Sequence, residues 1–457
     1  MSWIRARLGD GHIRQSGLTL IEIIVAMMVF AMISVSVAYA LTLSLTMGSD
    51  NRSRTAAANL VAQEIDLSRA VEDLFTLVDA DKTSTMNGTT FYIHRTTNWV
   101  TSTSADATCG SGGGQLKYKR VNVSVTWAGM RASTPAVRAD TVIAPGTRIN
   151  DPTLGTILVS VRGASGAGNA GVTVTAAPAT PAAGAVALTE TPEPTDAQGC
   201  SYILKVAPGN YNVSITAANS VDVNQKATPL TFVGVTAGTA ASVSFQYDRS
   251  GAYTVNYASN APAGSAVIPT NLDTTFKSTY PLYTPSAATN ALSKAFALHA
   301  FPSGYRVFSG KYVAPSASLP GCLSPDPAEW TTPGAGGAVG PAFPAVATVP
   351  GGSVATAVPM GLATVTGLNG QFLKAISQAH APGTGAAGCA DTMIYTFDKL
   401  TNDSVSIALP YGVWKLYRGS TAATATIAVS TGLTAPPPST VSAAGLLTLD
   451  PRIVVAP

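Results

Sequence analysis

Glu22 is a lone carboxylate at the head of a long apolar stretch, and its placement is the strongest chemical signal in the chain. From Ile23 to Ser49 no residue is charged, and at about 1.5 Å per residue this run reaches about 40 Å as a helix, enough to cross a bilayer. An unpaired carboxylate beside hydrocarbon is costly, so Glu22 requires a partner of opposite charge. Ahead of it, Arg5, Arg7 and Arg14 stand against a single acid, Asp10. That basic flank keeps the start of the chain cytoplasmic and sends the chain beyond the apolar run outward.

Other chemistry-bearing residues are sparse. Cys109, Cys200, Cys322 and Cys389 all lie beyond the apolar run, and their spacing fits neither a zinc knuckle nor a C-x-x-C redox pair. On an exported chain they favour disulfides, and four cysteines allow three connectivities. His12, His94, His299 and His380 are isolated, with no second ligand one helical turn away. His94, on an expected strand, reads as a rim or partly buried residue and not as a base. Gly383-Thr384-Gly385-Ala386-Ala387-Gly388 spells G-x-G-x-x-G, but it comes after Ala381-Pro382 instead of a strand and reads as a loop. Asp79-Ala80-Asp81 lacks the glycine and the closing glutamate of a calcium loop and reads as a helix end. No converging acid, base or metal set emerges, so neither an enzyme nor a cofactor is expected.

The elements that position these residues can be read from composition and periodicity. Of 457 residues only 11% are charged, the formal net charge is +3, and no basic block is present, which argues against a nucleic-acid partner. All 30 prolines lie at or beyond Pro135. The first part is therefore free to form a long helix, and the rest reads as short strands joined by Gly/Pro turns. Leu60, Leu67, Val71, Leu74 and Val78 recur at helical spacing, while Glu64, Asp66, Arg69, Glu72 and Asp73 read as a solvated face. One helix from 18 to 78 is expected. Phe91–Val100 and Tyr118–Trp127 then supply strands of a small antiparallel meander.

The stretch Ser16-Gly17-Leu18-Thr19-Leu20-Ile21-Glu22, between a basic leader and a long apolar helix, resembles the processing motif of the type IV prepilin/pseudopilin family. That resemblance implies a prepilin leader peptide at 1–17, cleavage by a prepilin peptidase between Gly17 and Leu18, and N-methylation of Leu18. It also implies that Glu22, fifth in the mature chain, neutralises the new α-amine of a neighbouring subunit during assembly. Leu18 stands where phenylalanine is commonest in the family. Two other readings of the N-terminus remain: a secretory signal ending at Ala38-Tyr39-Ala40, and an uncleaved signal anchor. The expected fold is an α+β pilin-like domain at 18–150, its long helix packed on a small antiparallel sheet, followed by all-β sandwich modules.

Beyond residue 150, strands at 157–161, 172–174, 202–204, 211–215 and 243–247 suit a sandwich. Thr195-Asp196-Ala197-Gln198-Gly199, a strand, and then Ala207-Pro208-Gly209-Asn210-Tyr211 resemble the transthyretin-like carboxypeptidase regulatory-like module over 152–248. A similar Pro, Gly and aromatic device recurs at Phe301–Val307 and Leu409–Trp414, which suggests β-rich modules at 250–355 and 356–457. Pairing Cys109 with Cys200 and Cys322 with Cys389 would tie the first sandwich to the pilin sheet and join the last two modules. Free buried thiols are the other reading. The function implied is a minor pilin or pilin-like structural subunit of a type IV pilus-type filament, its β-modules serving adhesion or tip initiation. Its implied partners are prepilin peptidase, other pilin subunits through the N-terminal helix, the pilus assembly platform and, before assembly, the cytoplasmic membrane. The alternatives are a pseudopilin of a type II secretion-like machine and a membrane-anchored surface adhesin without an assembly role.

Overall fold

A computed structural model describes residues 19–72, 74–101, 106–107, 109, 116–144, 151–286, 288–317, 319–379 and 385–453. It shows one long N-terminal helix followed by many sheets, most of them antiparallel, divided between two compact bodies.

The first body comprises residues 1–98 and 118–146. It holds helix α1 (Leu20–Arg69), strands β1 (Ala80–Met86) and β5 (Val137–Ile143), and the greater part of β2 (Thr89–Thr101) and β4 (Leu116–Trp127), paired in the order β1-β2-β4-β5; the short β3 (Asp106–Ala107), which pairs with β2, falls in the segment 99–117 assigned to the second body. Ala57, Leu60, Val61, Glu64, Ile65 and Ser68 form the buried stripe of the helix. Phe91, Ile93, Val121, Val123, Val125 and Trp127, alternating along their strands, form the buried face of the sheet.

The helix is shorter than the expected 18–78. It ends at Arg69, and Leu67 is 52% exposed. Leu74, in a turn, and Leu77, in the irregular chain after it, are buried outside any helix. Groups on β2 draw the segment out of helical geometry. Thr97 N–H and Oγ1 donate to Asp79 Oδ1 at 2.6 and 3.1 Å, and Arg95 Nε and Nη2 donate to the Val78 carbonyl at 3.1 and 2.8 Å. Asp79-Ala80-Asp81 accordingly opens β1 and is not a helix end. The β1–β2 turn is Asn87-Gly88, with φ of 51° and 79°, the left-handed pair that a two-residue hairpin of this hand demands.

The second body comprises residues 99–117 and 147–457. Its first part is a two-sheet sandwich built from β6 (Gly155–Arg162), β7 (Thr173–Pro178), β8 (Cys200–Val206), β9 (Gly209–Thr216), β10 (Ser220–Asp222), β11 (Leu230–Val235) and β12 (Ala240–Tyr257). One sheet runs β10-β12-β6-β8 and the other β11-β9-β7. Ile157, Val159, Val161, Val174, Val213, Ile215, Val243, Phe245 and Tyr247 fill the space between them.

The remainder contains β13 (Ala266–Val267), β14 (Thr274–Lys277), β15 (Ser293–His299), β16 (Arg306–Ser309), β17 (Ser353–Val358), β18 (Gly361–Thr366), β19 (Phe372–Ser377), β20 (Ile394–Thr396), β21 (Ser404–Leu409), β22 (Gly412–Gly419), β23 (Ile427–Ala428), β24 (Leu433–Thr434), β25 (Thr440–Val441) and β26 (Leu446–Leu449). Its sheets run β13-β21-β18-β24, β14-β16 and β20-β19-β22-β26-β25, with β23 on β22, while β15 and β17 join the second half of β12. The modules expected at 250–355 and 356–457 are not separate here: one buried core runs from Tyr253 to Leu449 across the 355/356 boundary. Strand pairing explains this, since Ala252–Tyr257 lies parallel to Ser353–Val358 and Ala266–Val267 lies parallel to Ser406–Ile407. The 248/250 boundary falls inside β12, an unbroken 18-residue strand.

The recurring Pro, Gly and aromatic device has a shared geometry at two of its three sites. Gly209 and Gly412 adopt φ of 147° and 142° at the starts of β9 and β22. Two residues on, Tyr211 and Trp414 are fully buried, and each bonds the carbonyl four residues upstream: Tyr211 Oη donates to Ala207 at 3.0 Å, Trp414 Nε1 to Pro410 at 2.9 Å. The glycine lets the chain turn tightly, and a Cβ on Gly209 would collide with the Ala185 backbone. Gly304 differs, with φ of 70°, and Tyr305 reaches back six residues to His299.

Candidate functional site: the N-terminal helix and its anchorage

α1 has two stretches with opposite surroundings. From Leu20 to Met47 every residue is exposed on all sides of the helix, including Ile24, Met28, Phe30 and Leu45. It is the one helix among the described residues that is long and apolar enough to cross a membrane. Four of its hydroxyls are satisfied within the helix. Ser34 and Ser36 donate to the carbonyls of Phe30 and Met32 at 2.8 and 2.9 Å, and Thr42 and Thr46 to those of Tyr39 and Leu43 at 2.8 Å. An apolar medium therefore meets no stranded hydroxyl on those residues.

Thr19 caps the helix through its backbone, accepting the Glu22 and Ile23 N–H groups at 3.0 and 3.2 Å. Glu22 lies in the first turn, where the helix dipole favours a negative charge. Its side chain is exposed and pairs with no cation among the described residues. Gly17 and Leu18, the expected processing and methylation site, lie outside the described residues.

The second stretch is held by a buried carboxylate that sequence reasoning assigned to a solvated face. Glu64 is 3% exposed. Lys82 Nζ, from β1, donates to both of its oxygens at 2.9 Å, and Arg95 Nη1, from β2, donates to Oε1 at 2.7 Å. Two strands are thus fastened to one residue of the helix by charge-assisted bonds. Near Gly48, the Arg131 guanidinium reaches Asp50 at 3.5 Å and Thr46 at 3.4 Å, bridging the helix on either side of the glycine. The signal missed was the pair of cations, whose relation to Glu64 exists only once β1 and β2 have paired. Asn87-Gly88 could have revealed that hairpin.

The other candidates do not assemble into a reactive site. The structure joins Cys109 to Cys200 and Cys322 to Cys389 as disulfides, so none of the four cysteines is free. His94 is exposed and sits cross-strand from Asp81, its Nδ1 2.5 Å from Oδ1. His299 is buried, with its Nδ1 3.1 Å from the Val221 carbonyl. His12, His380, Gly383 and Thr384 lie outside the described residues. The described part of the glycine-rich run, Gly385 to Gly388, leads to no helix. No group of three metal-ligating side chains occurs among the described residues.

The second body holds its own ionic cluster. Asp326, fully buried, accepts from Arg306 at 2.6 Å and from Lys277 at 3.0 Å, and Lys277 also reaches Glu329 at 3.2 Å. Burial alone would lower the Lys277 pKa, but the Asp326 and Glu329 carboxylates hold it above the usual lysine value. Burial raises the Asp273 carboxyl against the opposing Tyr395 hydroxyl bond.

Comparisons with known proteins bear on the N-terminus. No curated protein sequence matches the chain. Among solved structures, it is similar at 12% identity to the TIE protein of Bacillus anthracis, over 75% of this chain and 68% of that one, with a TM-score of 0.20. A streptococcal ancillary pilin shares 10% identity over 44% of this chain and 70% of that one, with a TM-score of 0.18. BcpA, the major pilin subunit of Bacillus cereus, shares 10% over 66% and 93%, with a TM-score of 0.17. At such scores these likenesses carry no argument about fold. Residues 13–38, which run from just before α1 into its first turns, match the model of the prokaryotic N-terminal methylation motif.

Proposed function

We propose that the chain is a pilin-like subunit, cleaved by a prepilin peptidase between Gly17 and Leu18, methylated on Leu18, and assembled through α1 into a type IV pilus-type filament. The observation that carries this reading is the coincidence of the methylation motif at 13–38 with a helix that exposes apolar side chains on every side from Leu20 to Met47. Such a surface needs hydrocarbon before assembly and the helices of other subunits afterwards. Glu22 supplies the register, its carboxylate meeting the α-amine of a neighbouring Leu18 where neither charge is tolerated alone. The cytoplasmic membrane and the assembly platform are the partners of that transfer.

The second body is displayed outside the cell, and its two disulfides suit an oxidising exterior. Residues 152–248 act as a carboxypeptidase regulatory-like module, a reading supported by two facing sheets around a core of their own. A head of this size fits a minor, tip-located subunit better than a densely packed shaft. Mass analysis of the mature N-terminus tests the reading. A chain that begins at methylated Leu18 is expected, and one that begins at Leu41 overturns it.

A further inference from the structure

The apolar run of α1 is longer than the layer it has to cross. From Ile23 to Ser49 it reaches about 40 Å, against about 30 Å for the hydrocarbon of a bilayer. Apolar length alone leaves the helix free to slide or tilt through about 10 Å, so its depth has to be set by something else. In the precursor, Arg5, Arg7 and Arg14 stand at the cytoplasmic end. Cleavage after Gly17 removes all three. No lysine or arginine then occurs before Arg52, so the side-chain cations nearest the run in the processed chain lie at its outer end.

Three arginines gather there. Arg52 and Arg54 are exposed and pair with no anion among the described residues. Two positions apart on a helix, they point about 200° apart, to opposite sides of it. Arg131 comes from the loop between β4 and β5, residues 128–136, in which it is the one charged residue. Its contacts with Thr46 and Asp50, at 3.4 and 3.5 Å, bring its guanidinium to the level where the run ends. Thr46 lies about 36 Å along the helix from Glu22, which reaches the outer headgroups when Glu22 stands at the inner edge of the hydrocarbon. Arg52 and Arg54 follow about 9 and 12 Å farther on, and long arginine stems bend back toward a headgroup layer. Asp50 is the one acid between Glu22 and Glu64, so positive charge prevails at this level.

We propose that Arg52, Arg54 and Arg131 form a collar that holds the phosphate groups of anionic phospholipids at the outer face of the cytoplasmic membrane, and so fixes the depth of α1 before assembly. The inference rests on the reading of α1 as a membrane-spanning helix. Guanidinium forks match phosphate oxygens and stay charged at every physiological pH. A protein partner meets one side of a helix, whereas a leaflet surrounds it, and these arginines face more than one side. The collar also continues directly from a surface that itself requires hydrocarbon.

The test uses the processed full chain in phosphatidylcholine nanodiscs that carry a trace of spin-labelled phosphatidylglycerol or spin-labelled phosphatidylcholine. The share of each label immobilised by the protein gives its preference for the anionic headgroup. A preference for phosphatidylglycerol is expected, falling about fivefold in Arg52→Gln/Arg54→Gln and further when Arg131→Gln is added. Arg52 and Arg54 hold no other group among the described residues, so the double variant keeps the native melting transition. The α-amine of Leu18 contributes equally in every variant and does not register as a difference. A nitroxide on Ser49→Cys, read by its exposure to oxygen and to a water-soluble nickel chelate, is expected to hold a narrow depth in the native chain and a broader one in the double variant. Equal immobilisation of both lipids by the native chain, a preference that both variants keep, or an unchanged spread of depth overturns the proposal. A chain that immobilises neither lipid overturns the membrane-spanning reading of α1 as well.

Discussion

Glu22 and Glu64 lie on one helix, 42 residues apart, in opposite circumstances. Glu64 is enclosed and meets two cations of its own chain. Glu22 is exposed among apolar side chains and meets none among the described residues. The first is a completed interaction that fixes how the chain folds. The second is an uncompleted one, and its completion belongs to another molecule. A carboxylate in an apolar neighbourhood thus has two meanings, distinguished by whether the same chain supplies the counter-charge.

The widest separation of the two is expected from Glu22→Ala. Melting of the first body should not change, while incorporation into filaments, measured by immunoblot of sheared surface material, should be lost. Normal incorporation would remove the assembly role of Glu22. Glu64→Ala should do the reverse at the level of folding, with a loss of about 3–5 kcal/mol in denaturant unfolding, because Arg95 is left buried without its anion. The two cations sharpen this further. Arg95→Met, at a side chain 12% exposed, should cost about 2 kcal/mol, and Lys82→Met, at one 46% exposed, less than about 1 kcal/mol. Equal losses would mean that the pairing is not governed by burial.

Asp273 gives a third case, a carboxylate held by a hydroxyl. Burial raises its pKa above the usual 3.8, so the folded chain keeps the proton longer than the unfolded one. The stability tied to that proton is present at low pH and declines as pH rises from 3.8 through the raised value. Asp273→Asn should abolish that slope and raise stability at neutral pH by less than about 1 kcal/mol, since the group is only partly buried and solvent screens it. Thermal melts at pH 4, 5.5 and 7 measure it, and an unchanged slope would remove Asp273 as its source.

The N-terminal apolar run and the strands around Phe91–Val100, Val121–Trp127 and Ile157–Val161 were readable in the sequence, because period and length identify such elements locally. Glu64 was not. A helix position 18 residues before Lys82 and 31 before Arg95 acquires its surroundings only through strand pairing. The helix end was obscured for the same reason: Leu74 keeps helical spacing, yet the Val78 carbonyl is taken by Arg95. The division after residue 250 failed because turn devices mark strand starts and not cores. Tyr211 and Trp414 share one local geometry while serving different cores.

The continuity of β12 limits how this chain can be rearranged by descent or by engineering. Side chains alternate faces along a strand, so deleting one residue between Asp248 and Gly251 would turn Tyr253, Val255 and Tyr257 out of the second core while leaving Val243 and Phe245 in the first. The two parts are therefore not separate units of exchange. Neither can gain or lose an odd number of residues at their junction without turning one core's side chains outward, whereas the loops, where no strand belongs to two cores at once, accept changes of any length.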